Sequence, residues 1–173
     1  NYAYNLAEAQ FSKLFNESSY EDGIIFVSSR FWNITSPGAG NPNTRWDKFA
    51  FMTTSLEPDG FDCFHESFIG MYNDWQHPRA VKEGKCLDSQ GNGQQVIGAF
   101  QHDIELAPGQ ELRFVVIVGV VYRKEEAVIL KGRYDSWQEA ERALAEVSIY
   151  WDNYLTRTTC ETPDRDFDLS FNI

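Results

Sequence analysis

Basic residues are scarce. Fifteen lysines and arginines stand against 26 aspartates and glutamates, giving a net charge of −11. Nucleic-acid phosphates and anionic membrane surfaces are held by clustered cations, so this balance argues against both as partners. Long apolar runs are missing as well. The longest, Phe114 to Tyr122, falls far short of the roughly 18 to 20 residues that cross a bilayer. No basic segment followed by an apolar one opens the chain, as an export leader would, so a soluble, unexported protein is expected. Cysteine is rare: Cys63, Cys86 and Cys160 are an odd number at long spacings, which suits neither a disulfide framework nor a CxxC metal knuckle. Reduced thiols in the cytoplasm are the expectation. The two sequons, Asn16-Glu17-Ser18 and Asn33-Ile34-Thr35, matter only in a secreted eukaryotic protein.

Chemistry-bearing residues are equally thin. Only His65, His77 and His102 are histidines, and His102 reads as a hydrogen-bonded core histidine on the inward face of a strand. No cysteine has a neighbouring histidine in a nucleophile arrangement. Asp164, Asp166 and Asp168 alternate like the start of a calcium loop, but Leu169 stands where that loop needs glycine, so a solvated helix start is expected in place of a metal site. Gly91-Asn92-Gly93 lacks the third glycine and the preceding strand of a dinucleotide fingerprint and reads as a turn. The sequence therefore contains no self-contained catalytic constellation, no metal site and no call for a cofactor.

What the chain does contain is β-rich. At 173 residues, with 15% aromatics, it is long enough for one domain with a sizeable core. From Val96 to Leu106 apolar residues recur at even positions, the period of a half-buried strand. Ala107-Pro108-Gly109-Gln110 supplies the turn, with proline presetting one φ and glycine accepting a positive one. Leu112 to Val121 is almost wholly β-branched or apolar and is expected to be covered on both faces, away from any sheet edge. This predicts a central antiparallel hairpin in a β-sandwich spanning 1–122. Ile24 to Val27 and Lys48 to Thr54 read as further strands. The stretch 1–20 is open between a short helix and an edge strand. Residues 55–94 are irregular and aromatic, and are expected to pack on a sheet edge.

Helices follow. Lys124 to Gly132 reads as a short one. Ser136-Trp137-Gln138-Glu139 is a capping box, and Trp137, Ala140, Leu144, Val147, Trp151 and Tyr154 then recur at helical spacing, with the stripe expected to face the sandwich. Residues 123–158 form a helical linker on this reading. Thr162 as N-cap, Pro163 at the first position and Asp164 at the positive dipole end predict another helix. It stops after a few turns, and the chain starts at Asn1, so a piece of something larger is expected.

One loop stands apart. Between Val27 and Lys48 lie some twenty residues without strand or helix signals, longer than compact domains leave structureless unless they are functional or disordered. Trp32 and Trp46 are flat apolar surfaces suited to the CH faces of a sugar ring, and Arg30, Arg45, Asn33, Asn41 and Asn43 supply hydrogen bonds for its hydroxyls. The competing reading is that both tryptophans only pin the loop to the sheet.

An ordered series of residues runs through the chain: Asn1-Tyr2, Asn5-Leu6, Lys48-Phe49-Ala50-Phe51, Gly60-Phe61-Asp62, Phe68-Ile69-Gly70, Pro78-Arg79-Ala80-Val81, Gly98-Ala99-Phe100-Gln101, Leu106-Ala107-Pro108-Gly109, Val118-Gly119, Tyr150-Trp151 and Thr162-Pro163-Asp164. The series resembles the glycoside phosphorylases of cellobiose, cellodextrin, laminaribiose and chitobiose. The resemblance implies part of a β super-sandwich, a helical linker, and the start of an (α/α)6 barrel over 159–173. It implies inversion at the anomeric carbon with inorganic phosphate as co-substrate, a β-linked oligosaccharide as ligand, a homodimer, and catalytic residues in the barrel outside this chain. Residues 28–46 look like the loop that closes the acceptor site, which would make Arg30, Trp32, Asn33, Asn43, Arg45 and Trp46 substrate-binding. A stand-alone carbohydrate-binding module and a ligand-free structural sandwich are the alternatives.

Overall fold

The structure, a computed structural model, describes residues 15–31 and 44–172. Its contacts divide the chain into two units after Asp135. The first unit is built on a hairpin of β1 (Asn16–Glu21) and β2 (Ile24–Phe31), paired antiparallel from Asn16↔Ser29 to Glu21↔Ile24. Only Asp22 and Gly23 separate the strands, with φ of 52° and 77°. A two-residue turn with both φ values positive matches the twist of the flanking strands, and Asp-Gly suits it. The hairpin leaves β1 a strand, one of the two options for residues 1–20; residues 1–14 lie outside the described ones.

Around this hairpin the first sheet grows in the order β6-β1-β2-β4-β8, with β3 (Thr44–Arg45) also on β2. Here β4 is Phe49–Thr54, β6 Gly91–Asn92 and β8 Val116–Val121. A second, two-stranded sheet pairs β5 (Gly60–Phe64) with β7 (Val96–Gln101). Strand alternation on β2 sends Ile24 and Phe26 to one face and Ile25 and Val27 to the other, and both faces are covered. On the first, Ile24 and Phe26 cluster with Phe51, Val121 and Ala127, the last from helix α3 (Lys124–Arg133). On the second, Ile25 meets Phe61 and Cys63 of β5, and Tyr20 stacks on Phe61 at 4.0 Å between ring centroids. Two packed layers of strand make the expected sandwich, and the irregular stretch 55–94 supplies β5 together with two short helices, α1 (His65–Ile69) and α2 (Arg79–Glu83).

The central hairpin is not there. The turn forms as expected, with Gln110 N–H donating to Ala107 O at 2.9 Å and Gly109 at φ 80°. Its two arms, however, lie in different sheets: β7 pairs β5, and β8 pairs β4 from Phe49↔Val121 to Thr54↔Val116. Residues 102–115 cross from one layer to the other. A strand, a turn and a strand are common to a hairpin and to a sandwich crossover, and nothing local separates them. The expectation that Leu112–Val121 is covered on both faces also fails. Among the described residues β8 ends the sheet, and Val116, Val118 and Val120 are exposed, Val118 by 73%. Hydrophobic β-branched residues on a strand edge promote pairing with a second chain, and a lysine there opposes it. Val118→Lys is expected to leave stability within about 0.5 kcal/mol while reducing self-association measured by sedimentation. Unchanged sedimentation would mean that this face is not sticky.

The second unit is helical. The cap at Ser136 forms, its Oγ accepting from Glu139 N–H at 3.4 Å, and α4 runs Trp137–Leu155. The expected stripe is present, with Tyr150, Trp151 and Tyr154 in mutual ring contact, yet no α4 side chain is buried. The last helix, α5 (Arg165–Phe171), begins later than the sequence signals suggest. Asp164 is the N-cap, accepting from Asp166 N–H at 3.0 Å and Phe167 N–H at 3.2 Å. Thr162 is instead held by Asp168, which accepts from its hydroxyl at 2.8 Å and its amide at 2.9 Å. Aspartate can accept two amide bonds and complements the dipole, so it displaces the threonine. Phe167 and Phe171 stack one turn apart as expected, at 6.0 Å.

Candidate carbohydrate-binding site

The long loop is carried on a short antiparallel stem. Arg30 stands opposite Arg45 and Phe31 opposite Thr44, and Trp46 N–H donates to Ser29 O at 2.9 Å. Trp32, Asn33, Asn41 and Asn43 lie outside the described residues. The stem thus brings together three of the six expected site positions: 30, 45 and 46. Arg30 is exposed, and Trp46 is half-buried.

Below the stem the register shifts. Past the Trp46 bond to Ser29, pairing resumes at Val27↔Ala50, so Asp47, Lys48 and Phe49 lie across from Ser28 alone. Extra residues of this kind re-aim side chains. Lys48 Nζ is carried over two rings, Trp46 at 6.0 Å and Tyr122 at 5.0 Å. Lys48 and Tyr122 are missed by the sequence reading, since only the β4–β8 pairing brings them to Trp46.

Lys124, the first residue of α3, anchors the neighbouring part of the sheet. Its ammonium donates to Ser19 Oγ at 3.2 Å and to the Glu21 carboxylate, and it lies 5.0 Å and 5.5 Å from the Phe26 and Phe49 rings. The hydrogen bond from Lys124, followed by that from Ser19, holds the Glu21 carboxyl below its usual range. A carboxyl lowered in the folded state stabilises above its unfolded pKa, and that contribution is lost as pH falls through the folded value. The melting-temperature gap between the native chain and Lys124→Met is therefore expected to narrow as pH drops through the carboxylate range. A gap constant with pH would assign it to ring packing alone.

A buried ionic centre underpins the second sheet. Asp62 of β5 is fully buried, and its Oδ1 accepts from Ser89 Oγ at 2.7 Å, from Ser89 N–H at 3.3 Å and from Leu87 N–H at 3.2 Å. Arg79 Nη2 lies 3.8 Å from Asp62 Oδ2. The same guanidinium donates to Ser67 O, at 2.6 Å from Nη2 and 3.0 Å from Nε, and to Glu83 Oε2 at 2.6 Å. One carboxylate and one guanidinium thus join β5, α1, α2 and the 85–89 segment. Burial pushes the nearby Cys63 thiol up to about 12 and Cys86, with Asp62 contributing, up to about 11. Neither is a nucleophile at neutral pH.

Residues 1–136 match the family described as Glycosyl hydrolase 94, supersandwich domain. The chain belongs to the glycosyl hydrolase 94 family. Its similar relatives include an N,N'-diacetylchitobiose phosphorylase of Vibrio furnissii, 29% identical over 72% of this chain and 15% of the relative. A 3-O-beta-D-glucopyranosyl-beta-D-glucuronide phosphorylase of Paenibacillus borealis is 30% identical over 66% of the chain and 15% of its own length. A solabiose phosphorylase of the same organism is 26% identical over 68% and 16%. The chain therefore spans about 15% of the length of the curated relatives it matches. The glycosyl hydrolase 94 match and the first compact unit end within one residue of each other, at 136 and 135, so α3 lies inside the supersandwich stretch. Two pieces of the ordered series quoted above, Gly60-Phe61-Asp62 and Pro78-Arg79-Ala80-Val81, meet at the Asp62–Arg79 pair.

Proposed function

We propose that this chain is the supersandwich part of an inverting glycoside phosphorylase acting on β-linked di- and oligosaccharides with inorganic phosphate as co-substrate. The observation that carries this reading is the family match over residues 1–136, joined to relatives that are each named phosphorylases. In such a reaction a phosphate oxygen attacks the anomeric carbon from the face opposite the glycosidic bond. That C–O bond breaks as a carboxylic acid protonates the leaving sugar, and the product is an α-sugar 1-phosphate. Phosphate takes the position water has in an inverting hydrolase, so one protein carboxyl suffices. No residue of this chain is assigned to that step; residues 159–173 would lead into the barrel that holds it.

The role given to this chain is structural and selective. The stem places Arg30 and Arg45 in register and seats Trp46 at the foot of the loop carrying Trp32, Asn33 and Asn43, which supports contact with the acceptor sugar, in a homodimer across the subunit boundary. Three free thiols support a reducing, cytoplasmic setting, and no helix of the described residues is long and apolar enough to cross a membrane. No cofactor is required. Arg30 tests the loop. A charge-assisted hydrogen bond is worth about 1.5 to 3 kcal/mol, so Arg30→Ala in the full-length protein should raise the acceptor's KM roughly tenfold to a hundredfold. The phosphate KM and the melting temperature should stay put, because Arg30 is exposed. Equal rises in both constants, or a lowered melting temperature, would reduce the loop to a packing element.

A further inference from the structure

A cavity of about 280 Å³ opens where β7 ends, between α1, α2 and the segment after Gln101. Phe68 and Phe100 give it apolar walls, and Lys85, Gln101, His102 and Asp103 give it polar ones. The volume is just under the range of about 300 Å³ and upward that holds a drug-sized molecule, so it suits a single substituted ring. Gln101, His102 and Asp103 are held in place. Gln101 Oε1 accepts from Cys86 N–H at 2.9 Å, and its Nε2 donates to Asp103 Oδ1 at 3.0 Å. Asp103 N–H donates to Asp59 Oδ2 at 2.7 Å. The His102 ring is set by Phe100 and Phe114, at 6.4 Å and 5.8 Å.

His102 is thus not the hydrogen-bonded core residue expected from its strand position. Among the described residues its ring nitrogens, the Lys85 ammonium and Asp103 Oδ2 have no hydrogen-bond partner. The walls therefore offer donors from Lys85 and His102, an acceptor from Asp103, and aromatic carbon between them. One carboxylate and one ammonium disfavour a net anion and a net cation alike, while a ring bearing several hydroxyls uses both. Apolar CH faces of the same ring suit Phe68 and Phe100. We infer that this cavity binds one pyranose ring of a neutral saccharide, with Asp103 accepting from its hydroxyls and His102 and Lys85 donating to them. The inference goes beyond the phosphorylase reading and needs neither phosphate nor the 32–43 loop, so the failure of one leaves the other standing.

Histidine NMR tests it on this chain. His65, with its ring 4.9 Å from Trp75, and His77, bonded to Asp74 at 3.1 Å, serve as internal references. Titration with methyl β-D-glucopyranoside or its N-acetylglucosamine analogue should shift the His102 ring signals saturably and leave His65 and His77 in place. Asp103→Asn keeps the Gln101 bond but removes the charged acceptor, and should weaken binding by about tenfold or more at an unchanged melting temperature. Calorimetry on the full-length protein should return the same affinity and the same loss. The inference is overturned by an absent His102 response, by an equal response to glycerol, by undiminished binding in Asp103→Asn, or by loss of binding in the full-length protein, which would mean that its own chain fills the cavity.

Discussion

Asp62→Ala is expected to lower the melting temperature of the first unit by roughly 10 °C or more. Losing one member of a buried ion pair together with the hydrogen bonds it accepts costs about 3 to 5 kcal/mol, and each kcal/mol is worth about 2 to 4 °C in a domain of this size. Asp62 is fully buried, and its loss also orphans the amides of Leu87 and Ser89 and the Ser89 hydroxyl. Arg79→Leu is expected to be nearly as costly, because it leaves the carboxylate buried and frees the Ser67 carbonyl. The double variant Asp62→Ala with Arg79→Leu should cost clearly less than the two singles combined, the signature of a direct pair. Chemical denaturation of the four proteins reads this. Single losses near 1 kcal/mol, or strictly additive ones, would demote the pair to incidental neighbours.

That pair also shows where sequence reading runs out. Asp62 and Arg79 fall in separate pieces of the chain with no shared periodicity, and only the packing of α2 against β5 brings them together. The β5 strand itself was hidden for a related reason: Gly60 to Cys63 are all buried, so no alternation marks them. Local chemistry was more legible. Ser136 caps α4 because its hydroxyl needs only the amide three residues on, and Lys124–Arg133 is helical where the composition places a helix. Asp22-Gly23 is a turn signal of the strongest short-range kind, and it makes Asn16–Glu21 a strand where periodicity leaves helix and edge strand open. The crossover between β7 and β8 is the instructive failure. Turn chemistry at Pro108-Gly109 fixes a reversal of the chain but carries no information on which sheet each arm joins. In the candidate site, the sequence supplied the stem positions Arg30, Arg45 and Trp46, whereas Lys48 and Tyr122 needed the β4–β8 register.

We propose that this supersandwich serves phosphorolysis and not hydrolysis. With phosphate as the proposed nucleophile the expected effect is all-or-none, because an enzyme that stabilises attack by the anion does not stabilise attack by water. The direct measurement is phosphorus NMR of the full-length protein with β-linked disaccharides of glucose and N-acetylglucosamine, run with and without inorganic phosphate. An α-sugar 1-phosphate is expected to accumulate only when phosphate is present, and none is expected from the 173-residue chain by itself. Free monosaccharides released at the same rate without phosphate, or sugar 1-phosphate formed by this chain alone, would contradict it.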